Sequence, residues 1–344
     1  MQKKILQSSN PKNPGSDRRY PMKHLFLLIV FFTGSSTLAQ KPIDTNETIL
    51  IGGIKQYISI KGKDDSLPLL LFLHGGPGGS VMNYAHKFTH KLQERFVVIQ
   101  WDQRETGKTR QLNTSPAPLT LLIFQNDTHE LIETLLKRFQ HEKLYLVGHS
   151  WGTALGFYIA GKYPELLYAY IPIGPMINQL KSERIVLAMM REQASQTDNQ
   201  KEMEELAIVK VPFENGEQLY YHRKWLFDFN GSRKKLAKSY VLTWSSTWLP
   251  VYNEASKANL IESLPAIHCP VYFFAGRKDY QTNSSITEDY YTRLIAPKKG
   301  LFWFELSGHS IPSSEPGMMQ DIITEKILPE TFIIQKSKVQ QLAH

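Results

Sequence analysis

A single cysteine, Cys269, among 344 residues excludes an internal disulfide. It lies in the apolar run CPVYFFAG, which reads as a buried, inert thiol. Neither C-x-x-C nor H-E-x-x-H occurs, so a structural zinc or a zincin site is not expected, and no metal or organic cofactor is called for. The 19 prolines and 21 glycines are scattered, with no low-complexity tract and no repeat at a fixed period. With 42% hydrophobic and 21% charged residues, the chain has a globular composition and is long enough to bury one large core.

Also lacking is the run of roughly 20 apolar residues that a membrane-crossing helix needs. The apolar stretch near the N-terminus, Leu25–Phe32, is far shorter. It follows Lys23 and precedes small residues ending in Thr37-Leu38-Ala39, the anatomy of a secretory signal peptide cleaved before Gln40. Residues 1–39 are therefore read as a leader, and the remaining protein as exported, periplasmic or extracellular, without stable membrane insertion. The polar segment ahead of Met22 implies either that Met22 and not Met1 is the start, or that Arg18-Arg19 belongs to a twin-arginine leader; the first fits better. The leader holds six Lys or Arg against one acid, so its removal takes the net charge from +8 to +3. Nucleic acid is not an expected partner.

What remains alternates between short apolar runs and amphipathic stretches. Strands are expected at Ile49–Ile51, Gln56–Ile60, Pro68–Leu73, Phe96–Trp101, Lys143–Val147, Leu167–Ile173, Pro270–Ala275 and Leu301–Leu306. Helices are expected at Tyr84–Arg95, Leu119–Phe139, Trp151–Tyr163, Ile286–Leu294 and Met318–Ile327. Continuous apolar runs of five or six residues suit strands covered on both faces, so the fold class is α/β with a doubly wound sheet. The alternation stops between Asn178 and Pro265, where the chain turns helical, charged and aromatic. That segment reads as a helical insertion: residues 40–178 and 266–344 form the core and 179–265 the cap.

The stretch KLYLVGHSWGTALGFYIA places Gly148-His149-Ser150-Trp151-Gly152 between a strand and a helix, the setting of a nucleophile elbow. A turn with an idle serine would explain the two glycines but not the strand before or the small-residue helix after. A serine needs a base to take its proton, and on this arrangement an acid and then a histidine should follow beyond later strands. PVYFFAGRKDY supplies Asp279 and LFWFELSGHS supplies His309. His149 should turn away from the serine. His268 precedes its strand, and Asp127 and Asp289 lack a strand-end position. The amides of Gly76, within HGGPGG after the third strand, and of Trp151 are the expected oxyanion donors. Asp102, Gln103 and Arg104, ending the fourth strand, are read as structural.

The motifs HGGPGG, WDQR, GHSWG, AGRKD and SGHS, in this order from about Gly53 to Glu315, resemble the α/β-hydrolase fold and, within it, the proline iminopeptidase family. The resemblance implies a mostly parallel eight-stranded sheet with helices on both faces, and a helical cap after the sixth strand. It also implies Ser150, Asp279 and His309 as nucleophile, acid and base. This chain departs from the family pattern at Glu105 and His149, where glycine is usual. The family also implies cap glutamates that hold a substrate's free amino group; Glu202, Glu204, Glu205, Glu214 and Glu217 are candidates. Tyr220, Tyr221, Trp225, Phe227, Phe229, Trp244, Trp248 and Tyr252 make the cap aromatic, which suits an apolar-walled pocket. The expected protein is thus a secreted serine hydrolase that cleaves an amide or ester of a small molecule or short peptide, foremost as a proline iminopeptidase-like aminopeptidase. A carboxylesterase and a non-catalytic binding protein on the same scaffold are the alternatives.

Overall fold

The computed structural model describes residues 41–116, 118–232 and 235–331; the leader read at residues 1–39 lies outside the described residues. Strands β1 (Ile43–Ile51), β2 (Ile54–Gly62), β3 (Leu69–Leu73), β4 (Val97–Asp102), β5 (Leu144–His149), β6 (Leu167–Ile173), β7 (Val271–Gly276) and β8 (Lys299–Phe304) form one sheet. Their order is β1-β2-β4-β3-β5-β6-β7-β8. Strand β2 runs antiparallel to β1 and β4, and β3 to β8 are parallel to β4. Each strand falls on an expected run, although β1 extends well upstream of Ile49.

The helices are α1 (His86–Thr89), α2 (Gly107–Leu112), α3 (Leu121–Phe139), α4 (Trp151–Lys162), α5 (Gln179–Gln196), α6 (Gln200–Ala207), α7 (Gly216–Phe229) and α8 (Lys238–Ser256). They continue with α9 (Leu260–Ser263), α10 (Ser284–Arg293), α11 (Ile311–Ser314) and α12 (Pro316–Asp321), which passes into a π turn over Ile322–Ile327. The single helix expected over Tyr84–Arg95 is broken into α1 and a 3-10 turn at Leu92–Glu94. Alternate residues of the central strands enter two cores. Leu69, Leu71, Leu73 and Ile99 meet Leu131 and Leu155 of α3 and α4 on one face. Leu70, Phe72 and Val98 meet Phe88, Leu92 and Met319 on the other. Burial on both sides is why these strands read as unbroken apolar runs. Cys269 is buried in the first core, and burial pushes its thiol up to about 12, as an inert side chain requires.

The β1–β2 hairpin turns on Gly52 and Gly53, both left-handed at φ 56° and 74°. Close approach also requires glycine at 52, since a Cβ there would stand 2.0 Å from Asp127 Oδ1. Arg104 joins this corner to the sheet. Its Nε and Nη2 donate to the two Asp127 carboxylate oxygens at 2.8 and 2.9 Å, and Nη2 also donates to the Gly52 carbonyl.

Helices α5 to α9 fill the insertion between β6 and β7. Asn178, Asn199 and Asn215 start α5, α6 and α7 by accepting backbone N–H bonds from Lys181, Glu202 and Glu217 with Gln218. The two ends of the insertion meet: Asn178 bridges Asn259, and the Leu260 amide donates to the Ile177 carbonyl at 2.9 Å. Inside, buried Glu183 of α5 collects α7 and α8 around one carboxylate. Arg223 Nη1 and Nη2 donate to it at 2.7 and 2.5 Å, Tyr252 Oη at 2.6 Å and Gln179 Nε2 at 2.8 Å. Burial alone would raise the Glu183 carboxyl, but the Arg223 charge and these bonds outweigh it and hold it at about 2. Neighbouring His222, fully buried, is brought down to about 4 by burial against the opposing pull of Glu183.

Both groups have folded values below their unfolded ones, about 6.5 for histidine and 4.3 for glutamate, so each withdraws stability as the solution is acidified. The melting temperature should fall as pH drops below about 6.5 through the His222 range, and again between about 4.3 and 2 through the Glu183 range. In Glu183→Gln the lower part of that dependence should become shallower. The same variant should lose about 3–5 kcal/mol at pH 7, because Arg223 is left buried without its counter-charge. A urea titration giving wild-type stability for Glu183→Gln would contradict this account of the cap.

Candidate active site

Ser150 sits where β5 ends and α4 begins, at φ 53° and ψ −119°, a left-handed backbone in a residue that bears a side chain. Such a conformation costs on the order of 1–3 kcal/mol and persists because the surroundings leave no alternative. They are tight here. A Cβ on Gly148 would lie 2.7 Å from the Gly152 carbonyl oxygen, and one on Gly152 would lie 2.2 Å from that of Leu73. The Ser150 amide donates to the Ile173 carbonyl at 2.9 Å, and Thr153 Oγ1 donates to the Ser150 carbonyl at 2.5 Å. Strand β3, strand β6 and the first turn of α4 thus fix the elbow from three sides.

The parallel strands deliver the other expected residues to the same edge. His309 Nε2 lies 2.8 Å from Ser150 Oγ, and His309 Nδ1 lies 2.9 Å from Asp279 Oδ2. Asp279 follows β7 and His309 follows β8, as the sequence order suggests. The Gln281 and Thr282 amides each donate to Asp279 Oδ1 at 3.0 Å, and Thr282 Oγ1 donates to Oδ2 at 2.7 Å. Burial works to raise the Asp279 carboxyl, yet the His309 charge and these bonds leave it below its usual value. The acid is therefore a carboxylate aimed at an imidazole N–H. Gly174 lies close beside both groups: a Cβ there would stand 3.1 Å from Asp279 Oδ2 and from His309 Nδ1. No motif in the sequence marks that glycine.

His149 does not turn away from the site as expected. Its Nε2–H donates to the His309 carbonyl at 3.0 Å, and the two rings are 5.3 Å apart. Burial, then the His309 charge, lowers it to about 4, so it is neutral at physiological pH and acts as a brace for the His309 backbone. His268 is exposed ahead of β7, at the opposite end from the serine.

Gln103 connects the base of the HGGPGG loop to the Trp151 side chain. Its Nε2 donates to the His74 carbonyl at 3.3 Å, while its Oε1 accepts from the Trp151 indole at 2.9 Å. The hydrogen bonds of the described residues give neither the Gly76 nor the Trp151 amide a protein acceptor. A Cβ on Gly75 would meet that of Ser150 at 3.3 Å, so the HGGPGG loop lies directly against the serine. Asp102 accepts from the Lys108 amide at 2.8 Å, and Arg104 is committed to Asp127, the structural roles the sequence suggested. Glu105 is left-handed at φ 56°, which explains why glycine suits that position; here its carboxylate accepts from the Ser115 amide.

A cavity of about 150 Å³ opens beside Gly76 under the cap, with Leu219, Arg223, Tyr240, Trp244 and Tyr252 in its wall. The aromatic character expected of the cap is thus partly spent here. The five candidate glutamates are not in that wall. Glu205 holds Lys224 and the Trp225 indole, Glu214 holds Lys210, and Glu217 holds Lys238. Glu202, in the first turn of α6, accepts from the Asn199 side-chain amide, and Glu204 is exposed. Among the cap carboxylates, Glu183 is bonded to two residues of the wall, Arg223 and Tyr252; these partners lie 40 and 69 positions away, and nothing local distinguishes it from Glu192, the other acid of α5.

Comparison with known proteins agrees with the fold. A family model described as the alpha/beta hydrolase fold matches residues 68–311. The "Probable aminopeptidase YbaC" of Bacillus subtilis is 29% identical over 308 residues, which cover 83% of this chain and 96% of that protein. The "Proline iminopeptidase" of Heyndrickxia coagulans is 25% identical over 260 residues, 72% of this chain and 86% of that one. Among solved structures, the proline iminopeptidase of Mycobacterium smegmatis superposes with a TM-score of 0.58 at 16% identity, covering 84% of this chain and 100% of that chain; this likeness shows the fold. The chain belongs to the α/β-hydrolase fold family and resembles its proline iminopeptidases.

Proposed function

We propose that the protein is a serine hydrolase that works through an acyl-enzyme, most like an aminopeptidase releasing a small N-terminal residue. The observation that carries the reading is the unbroken chain from Asp279 through His309 to Ser150, at 2.9 and 2.8 Å. His309 Nε2 takes the proton from Ser150 Oγ as the oxygen attacks the substrate carbonyl carbon. Negative charge then moves onto the carbonyl oxygen, within reach of the Gly76 and Trp151 amides. Collapse breaks the bond to the leaving amine or alcohol, which receives the proton from His309. Water, activated by the same imidazole, repeats the sequence and frees the acid. Asp279 keeps the imidazole in the tautomer with its proton on Nδ1 and stabilises the imidazolium that forms twice per turnover.

The peptidase reading draws on the names of the relatives and on a cavity suited to a small, partly apolar acyl group. A second reading, a carboxylesterase, draws on Glu183. Its carboxylate is already saturated by Arg223, Tyr252 and Gln179, so a substrate ammonium would have to displace one of them. The leader reading adds export, with a mature N-terminus at Gln40; intact-mass analysis of the secreted form tests it.

A fluorophosphonate probe should label Ser150 in the folded wild type and leave Ser150→Ala unmarked; an unreactive wild type would end the hydrolase reading. His309→Ala should lower kcat by about four to six orders of magnitude. Its melting temperature should move by no more than about 3 °C. Assayed side by side, proline arylamides should be cleaved at least as well as short-chain aryl esters. Ester turnover with no arylamide release would favour the esterase.

A further inference from the structure

We infer that Trp244 of the cap is a positioning residue for the oxyanion hole, an assignment that rests on the hydrolase reading above. The HGGPGG loop is anchored at its base by the sheet: Gln103 and the His74 ring hold residues 74 and 75, and the Gly79 amide returns to the Gly75 carbonyl at 3.2 Å. Its apex, Gly76 to Gly78, is held from the opposite side. Trp244 Nε1 donates to the Pro77 carbonyl at 2.9 Å across 167 positions of sequence. One helical turn further along α8, the Trp248 ring lies over Gly78, so close that a Cβ on that glycine would stand 2.6 Å from it. Residues four apart share a helix face, so one face of α8 holds the two residues that follow Gly76, Pro77 and Gly78.

The same face reaches the second donor. The buried Trp248 ring packs on Phe124 at 6.1 Å, and Phe124 meets the Trp151 ring edge-on at 5.5 Å. Trp151 carries the other oxyanion amide. One cap helix is therefore in contact with both sides of the hole, directly through the loop and indirectly through Phe124. Trp244 also stands in the wall of the cavity beside Gly76, so an acyl group that fills the cavity presses on the residue that orients the loop. Cavity occupancy and oxyanion geometry are coupled at this side chain. Substrates that fill the cavity gain in kcat as well as in binding.

The test is Trp244→Phe, which keeps an aromatic wall and removes the N–H. With an ester substrate it should lower kcat by about 10-fold to 100-fold, the scale of a misaligned oxyanion donor, and leave KM within about threefold. A trifluoromethyl ketone, whose adduct places an oxyanion in the hole, should bind more weakly by a similar factor. Affinity for the free carboxylic acid product should be unchanged. Should Trp244→Phe fail to fold, Gly78→Ala tests the same grip from the loop side, since its methyl collides with Trp248, and the same selective loss of kcat is expected. Unchanged kcat, or a raised KM with kcat intact, would make Trp244 only a wall and overturn the inference. Labelling of Ser150 in the wild type keeps that failure separate from failure of the hydrolase reading.

Discussion

The carbonyl of Leu73 comes so near Gly152 that no side chain fits between them. This contact presses the start of α4 against the end of β3, and the two structures that serve the chemistry are thereby made neighbours. One is the strained turn that lifts Ser150; the other is the loop that begins at His74. Because β3 to β8 are parallel, the loops bearing Gln103, Asp279 and His309 leave the sheet along the same rim. The triad needs no element of its own. It is assembled from what a parallel sheet does with its strand ends, provided that glycine occupies the point of closest approach.

Fixed charges stabilise the frame in two separate places. Arg104 and Asp127 lock the β1–β2 hairpin to α3, and Glu183 with Arg223 ties three cap helices together. Both pairs are largely buried and make several hydrogen bonds, the condition under which such a pair can offset its desolvation. At the site itself burial pushes down the imidazoles of His74 and His149, and His149, brought to about 4, acts as a neutral hydrogen-bonding brace. In the mechanism proposed above, a second imidazolium close to His309 would oppose the charge that forms there. Burial of the His149 ring avoids that conflict.

Much of the fold was legible in the sequence, for a physical reason. Strands covered on both faces must be apolar throughout, and LLLFL, YLVG and VYFFAG announce themselves. The triad was legible because its members lie just past such runs. What escaped detection depends on distant partners. Most of β1 is polar because it lies at the sheet edge, and Asp44, Asn46 and Thr48 are exposed there, so only its apolar end stood out. Glu183 looks like any helix acid until Arg223 arrives from α7. His149 was expected to turn away from Ser150 because of its place next to it, but the carbonyl that captures it belongs to His309, 160 positions on. The cap aromatics were visible as a group, yet nothing in their spacing separates Trp244, which reaches Pro77, from Tyr220, which does not.

The bridge between Asn178 and Asn259 gives the cap a double stem, with entry and exit side by side. From the viewpoint of the sheet, an excursion of some eighty residues begins and ends like a tight corner. Its length and sequence are hidden from the strands, so a lineage could exchange one cap for another as a cassette while β6 and β7 stay in register. The replacement would be free to carve a different chamber for a different acyl group. It would inherit one obligation only: to extend something toward the carbonyl of Pro77.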